Sequence, residues 1–304
     1  MIVYRELSSL VHDLGYSGKV LYGLSNQITK HYHAVSIPKA GGGTRSLHVP
    51  DNILKAVQRR INEVLLAPEP ISPYATAYRP GCSTKINAML HVGKPVLVKL
   101  DILHFFDSII YPTVKEKVFP AERFSESNRI LLTILCTYRE AVPQGAPTSP
   151  AISNIIMRDF DNMIGRWCEK RGIAYTRYCD DMTFSGDFDP APLIDLVRGE
   201  LRNIGFLLND KKTTVVHDGQ QKNVTGLVVN EKVSIPAAYR RELRQELHYC
   251  MRYGIASHME HTQIQESRGR YILQLLGRVN YVLSVMPNDN DCIKYKAWLK
   301  AHAK

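Results

Sequence analysis

The sequence has no run of about 18 uninterrupted apolar residues, so no segment is expected to span a membrane and no membrane partner is implied. The opening Met1-Ile2-Val3-Tyr4-Arg5-Glu6 lacks the basic-then-apolar pattern of an export signal, and a cytoplasmic protein is expected. None of the six cysteines, at 82, 136, 168, 179, 250 and 292, stands in a C-x-x-C pair, which argues against a zinc ribbon. They are also too sparse to staple a small secreted fold, so reduced thiols are expected. There is no internal repeat and no low-complexity tract. Acidic residues are in short supply: 29 Asp and Glu face 39 Lys and Arg, giving a net charge of +10. That excess favours a polyanionic partner, most often nucleic acid, although charge alone also suits a merely basic soluble protein.

What is present is ordinary globular composition, 44% apolar and 22% charged, over 304 residues, enough for two or three packed subdomains. Residues 1 to about 35 read as helix broken at Gly15-Tyr16-Ser17-Gly18. A hairpin over Tyr32–Pro50 turns at Gly41-Gly42-Gly43, and Asp51 caps a helix to about Ala67 with Ile53, Leu54, Val57, Ile61, Val64 and Leu65 on one face. Val96-Leu97-Val98-Lys99-Leu100-Asp101 reads as a buried strand ending in a carboxylate. Residues 112–140 are mainly helical, 143–150 a loop and 151–170 a helix. Strands over 173–178 and 182–186 flank a tight turn, a helix fits 190–204, and strands fit 213–217, 223–229 and 232–235. From Pro236 the pattern is helical, interrupted near Gly254 and Pro287-Asn288-Asp289. This predicts an α+β body with a helical appendage. The tail over 236–304 holds 11 Lys and Arg against 6 Asp and Glu, a face that suits a nucleic-acid backbone or a solvated helix surface.

The chemistry concentrates at Asp180-Asp181. Adjacent acids in a turn repel and raise each other's pKa. A solvated hairpin tip tolerates this, and so does a site where divalent cations offset the charge. Two-metal phosphoryl transfer uses such a site, one ion activating the attacking hydroxyl and the other, about 4 Å away, stabilising the leaving group. Asp101, at the end of its own strand, is the best source of a third carboxylate.

Tyr178-Cys179-Asp180-Asp181 resembles the Y-x-D-D box of reverse transcriptases. Asp101, followed five residues later by Phe106, is similar to that family's first catalytic motif, where the aromatic ring lies under the incoming sugar and clashes with a ribose 2′-hydroxyl. Pro143-Gln144-Gly145-Ala146-Pro147-Thr148-Ser149-Pro150 resembles the P-Q-G-x-x-x-S-P loop beside the nucleotide and template. Gly205-Phe206-Leu207-Leu208-Asn209-Asp210-Lys211-Lys212-Thr213 resembles the G-x-x-L-N-x-x-K-T segment. Lys39 and Arg45 match the basic fingers residues that hold the triphosphate. The resemblance runs in order from 39 to 213. It implies a right-hand polymerase fold: fingers and N-terminal helices over 1–95, palm over 96–235 with a fingers insertion near 112–140, and a helical, RNA-binding thumb over 236–304. It further implies Asp101, Asp180 and Asp181 as catalytic metal ligands for two Mg²⁺ ions, with Mn²⁺ a substitute, and Lys39, Arg45, Phe106, Gln144 and Lys212 around the deoxynucleoside triphosphate.

Asn87-Ala88-Met89-Leu90-His91 resembles the N-A-x-x-H signature of the bacterial retron branch, and Val224-Thr225-Gly226-Leu227 its V-T-G-L segment. That branch implies an RNA-directed DNA polymerase that binds a cognate structured noncoding RNA and starts synthesis from a guanosine 2′-hydroxyl. The product is a branched RNA–DNA molecule, used with an effector protein in anti-phage defence. Asn87, His91, Arg240, Arg241, Arg244, Arg268 and Arg270 are the implied RNA contacts. Tyr249, Tyr253, Tyr271 and Tyr281 suit either base stacking or the thumb core. The same palm also fits abortive-infection, diversity-generating and CRISPR-associated reverse transcriptases, and a dead polymerase fold that only binds RNA is the reading from another class. Cys179, where retron enzymes often carry alanine, raises the question of sensitivity to thiol reagents.

Overall fold

The structure, a computed structural model, describes residues 3–38 and 42–303. Its contacts divide the chain into two units, Met1–Cys82 with Val98–Val215, and Ser83–Leu97 with Val216–Lys304. This division cuts across the boundaries expected from sequence: residues 83–97 and 216–235 group with the helical tail.

In the first unit, α1 (Leu7–Leu14) buries Leu10 and Leu14 and stops where Gly15 takes φ +73°, a left-handed conformation that its missing side chain permits. Ser17 caps α2 (Gly18–Asn26) by accepting from Val20 N. β1 (Tyr32–Pro38) and β2 (Thr44–Pro50) form the anticipated antiparallel hairpin, in register from Tyr32↔Pro50 to Pro38↔Thr44. Asp51 Oδ1 accepts from Leu54 N at 2.9 Å and starts α3 (Asn52–Ile61). Asp51 Oδ2 lies 2.7 Å from His31 Nδ1, so that histidine serves the cap. The apolar face of α3 carries Leu54, Val57 and Ile61, and Ile53, expected on it, is exposed.

Beyond α4 (Thr84–Met89), which belongs to the second unit, β3 (Val96–Leu103) has both faces covered. That is why its sequence is a continuous apolar run and not an alternating one. α5 (Tyr111–Lys117) and α6 (Glu126–Cys136) account for the helical stretch, and α7 (Ser149–Glu169) begins inside the proline-rich loop. β4 (Ala174–Tyr178) and β5 (Asp181–Gly186) pair antiparallel, α8 (Pro190–Asn203) follows, and β6 (Leu207–Leu208) lies against β3. The main sheet has the order β4-β5-β3-β6, with β7 (Thr214–Val216) also on β3. The sheet therefore brings the end of β3 beside the β4–β5 turn.

In the second unit β8 (Asn223–Val224) and β9 (Leu227–Val228) replace the single strand expected over 223–229. Thr225 at φ +46° and Gly226 at φ +82° make the two-residue reversal that a primed hairpin turn requires. Residues 232–235 form only the isolated bridge Val228↔Ser234. α9 (Ala237–Tyr253), α10 (Ile255–His261), α11 (Arg268–Val285) and α12 (Asn290–His302) then pack around Leu243, Leu247, Cys250, Ile272, Leu275, Val279, Val282 and Leu299. The breaks at Gly254 and 286–289 fall where the sequence put them. A third, over 262–267, was not foreseen. Among the described residues no helix is long and apolar enough to cross a membrane. All six cysteines are free; five are buried and Cys82 is half-buried.

Candidate active site

Tyr178 pairs with Asp181, so Cys179 and Asp180 alone reverse the chain, and Cys179 takes φ +62° to do so. Three ties hold this turn. Ile102 N donates to the Asp180 carbonyl at 3.1 Å, joining the turn to β3. Arg177 Nη1 donates to the Cys179 carbonyl at 2.9 Å. Tyr78 Oη donates to Cys179 Sγ at 3.4 Å. Asp101, 4% exposed at the end of β3, accepts from Asn209 Nδ2 and from Lys212 Nζ, each at 2.8 Å. Asn209 N also donates to the Asp101 carbonyl at 2.8 Å, which registers the L-N-x-x-K segment on the acid.

The electrostatics follow from this crowding. Burial raises the pKa of Asp181, and the charges of Asp180 and Asp101 raise it further, against smaller opposing effects of Lys99 and Lys212. The hydrogen bond to Asp101, reinforced by all three acids, raises Lys212. The site thus lacks cationic charge, and part of what it needs comes from its own lysine.

Asp101, Asp180 and Asp181 line one cavity of about 930 Å³ with Arg45, Tyr78, Phe106, Gln144, Asn209 and Lys212. Arg45 enters from β2. Phe106 follows β3 through a turn in which His104 is left-handed, at φ +50°, and its ring leans on Phe105 at 5.3 Å. The Gln144 carbonyl accepts from His48 N at 2.9 Å, and Ser149 Oγ closes the loop by donating to the Pro143 carbonyl at 2.7 Å. Gly145 is required there: its φ is +124°, and a Cβ would stand 2.9 Å from the His48 carbonyl oxygen.

The family described as "Reverse transcriptase (RNA-dependent DNA polymerase)" matches residues 37–245. The retron Mx65 reverse transcriptase of Myxococcus xanthus is 34% identical over 272 residues, covering 81% of this chain and 63% of that protein. The retron Ec86 reverse transcriptase of Escherichia coli is 31% identical over 240 residues, 76% of this chain and 73% of that one. The chain belongs to the retron reverse transcriptase family. It spans less than two thirds of the Mx65 protein's length. Among solved structures, telomerase from Candida albicans with a fragment of telomeric RNA aligns over 90% of this chain and 60% of its own, at 12% identity and a TM-score of 0.49.

In this reverse transcriptase family member the three acids, Arg45, Phe106, Gln144 and Lys212 meet at one cavity, while Lys39 lies outside the described residues. The two retron signatures meet elsewhere, in the second unit. Asn87 Nδ2 donates to Thr225 Oγ1 at 3.4 Å, Thr225 Oγ1 donates to the Thr84 carbonyl at 3.2 Å, and Ala88, Val224 and Leu227 share one core. Asn87 and His91 are both 0% exposed. Neither side chain offers surface to RNA in this fold, and Asn87 joins the two signatures from inside. Burial, with Lys94 nearby, pushes His91 down to about 4.

The helical arginines lie on α9 and α11. Arg240 pairs with Asp289 at 2.9 Å, Arg244 with Asp291 at 3.1 Å and Arg270 with Glu266 at 3.4 Å, while Arg241 and Arg268 are exposed. Tyr271 belongs to the core, whereas Tyr249 and Tyr253 are exposed. Cys179 is buried, and burial beside Asp180 pushes its thiol up to about 12, which disfavours the reactive thiolate.

Sequence reading missed Arg177 and Asp161, and quoted Asn209 in the L-N-x-x-K segment without giving it a role. Asp161 lies on the apolar face of α7 between Met157, Phe160 and Ile164, and an acid placed there is a legible signal that a buried cation must meet it.

Proposed function

We propose that this chain is an RNA-directed DNA polymerase that extends a guanosine 2′-hydroxyl of its own noncoding RNA to make a branched RNA–DNA molecule. The observation that carries the polymerase reading is the convergence of Asp101, Asp180 and Asp181 on one cavity with Arg45, Gln144 and Lys212. The retron relatives support the retron branch, and the priming mode is proposed from that branch.

The donor set fits a hard divalent cation: three carboxylates, with Asp181 disfavoured as an anion by burial and then by the other two. Among the described residues no three ligating side chains are already drawn together, and Asp101 is instead engaged by Asn209 and Lys212. Asp101, Asp180 and Asp181 would hold two Mg²⁺ ions, with Mn²⁺ able to substitute, which supply activation of the attacking hydroxyl and stabilisation of the leaving pyrophosphate. Lys212, which donates to Asp101 at 2.8 Å, would be placed to offer its ammonium to the nucleotide phosphates. Arg45, together with Lys39, neutralises the triphosphate. Gln144 stands on a loop braced by His48 and positions the base pair. Phe106 fills the space that a ribose 2′-hydroxyl would need. The first unit provides fingers and palm and the helical tail a thumb, whose exposed Arg241 and Arg268 grip the RNA with Arg240, Arg244 and Arg270 nearby. Action in the cytoplasm beside an effector protein in anti-phage defence completes the reading.

Asp180→Ala or Asp181→Ala should abolish Mg²⁺-dependent deoxynucleotide incorporation and leave RNA affinity within about threefold of wild type. Full extension of a primed template by either variant would refute the site. Sequencing the nucleic acid that copurifies with the active protein tests the priming mode, because a linear product with no 2′,5′ branch would refute it.

A further inference from the structure

Arg177 and Asp161 are each 0% exposed. Arg177 Nε donates to both Asp161 oxygens, at 2.9 and 3.0 Å, and Nη2 donates to Asp161 Oδ2 at 2.6 Å and to Asn154 Oδ1 at 3.1 Å. Tyr175 Oη donates to the same carboxylate at 2.8 Å. All the acceptors on this side belong to α7, the helix that begins in the Gln144 loop. The remaining group, Nη1, reaches the Cys179 carbonyl at 2.9 Å. The backbone of Arg177 is pinned as well: its N donates to the Tyr74 carbonyl at 2.8 Å and its carbonyl accepts from Thr76 N at 2.9 Å.

We infer that Arg177 is a positioning residue for the acid turn, setting the direction in which Asp180 and Asp181 project by holding the Cys179 carbonyl against α7. This rests on the polymerase reading above. The Cys179 carbonyl belongs to the peptide on the N-terminal side of Asp180, and the Asp180 carbonyl to the peptide on its other side. Arg177 grips the first and Ile102 N the second. Both peptide planes flanking Asp180 are therefore fixed, by different elements, while Cys179 is kept in a left-handed conformation that a non-glycine residue adopts at a cost. A planar guanidinium can do this because its donors point along fixed, divergent directions. It spends one edge on the carboxylate and the other on the carbonyl. A lysine ammonium at the same place can neutralise Asp161 but has no second edge to present to the turn.

A purely architectural ion pair would protect folding alone. A positioning residue also affects turnover and metal uptake, and these are separable. Arg177→Lys is the primary variant, and Arg177→Met combined with Asp161→Leu is the second. The double variant removes both charges together and leaves no unpaired ion in the core. Each is measured for cooperative thermal unfolding, for kcat and nucleotide KM in Mg²⁺-dependent primer extension, and for Mn²⁺ binding to the nucleotide-free protein by electron paramagnetic resonance. The expected result in a folded variant is a kcat lower by about tenfold or more, a nucleotide KM within about threefold of wild type, and Mn²⁺ affinity weakened by at least about threefold. A folded variant with kcat and Mn²⁺ affinity both within about twofold of wild type would overturn the inference while wild-type extension leaves the polymerase reading intact. Failure of the wild-type protein itself to extend a primer would instead count against that reading.

Discussion

Phe106 shows how much a single side chain decides in this cavity. Its ring is half-buried, backed by Phe105, and faces the same space as the three acids. Phe106→Ala should open that space to a ribose 2′-hydroxyl, so the preference for deoxynucleotides over ribonucleotides should fall by about tenfold or more, read from competing kcat/KM values. An unchanged ratio would place the sugar elsewhere. Cys179→Ala should retain most of its synthesis, and a thiol-blocking reagent should leave wild-type synthesis standing, because the thiol is buried and its pKa pushed up to about 12. At this scale the acids, Arg45, Gln144 and Lys212 were legible because each sits in a short pattern whose chemistry is local. Arg177 was not: its partners Asp161 and Asn154 are 16 and 23 residues away on another element, and nothing in Tyr175-Thr176-Arg177-Tyr178 says which way the side chain turns.

Among the elements, the loop before α7 is the most exacting. With φ +124° and the His48 carbonyl oxygen 2.9 Å from where a Cβ would stand, Gly145→Ala should push Gln144 away from β2. The cost should be about 1–3 kcal/mol of local strain, seen as a raised nucleotide KM with a small change in melting temperature. A KM equal to wild type would show that the loop does not set the nucleotide's place. Most element types were readable because their signals are strong: the Asp51 cap, the apolar run of β3, the paired strands around Asp180. The failures were of two kinds. Residues 223–229 are rich in the strand formers Val, Leu and Thr, and the Thr225-Gly226 reversal inside them is a matter of backbone angle more than of hydropathy. Residues 232–235 have strand-like composition but form only a single bridge, Val228↔Ser234, near the tight β8–β9 hairpin.

At the scale of the whole molecule, charge and burial set the response to solution conditions. RNA affinity should fall steeply with salt, and replacing both Arg241 and Arg268 by alanine should reduce the log–log slope by about two, one for each lost phosphate contact. An unchanged slope would move the RNA off these helices. Acid should act through His91. Its pKa in the fold is about 4, below the ordinary 6.5, so the folded state holds it neutral. The resulting penalty is absent above the ordinary value and grows as pH falls through 6.5 toward 4, reaching about 2 kcal/mol of lost stability by pH 5. Denaturant midpoints at neutral pH and at pH 5 should therefore diverge in wild type and converge in His91→Gln. The grouping of residues 83–97 with the helical tail was the least legible feature at this scale. Membership of 83–97 in the tail's unit depends on contacts such as Asn87 with Thr225, 138 residues apart, which no local pattern records.

The distribution of thiols has a practical use. With five cysteines buried, Cys82 is the one partly accessible thiol among the described residues, and it falls at the last position before the chain passes from the first unit to the second. A maleimide dye should therefore label the native protein at one place. Paired with a fluorophore on an oligonucleotide substrate, it would follow nucleic-acid binding by energy transfer, without an engineered cysteine background.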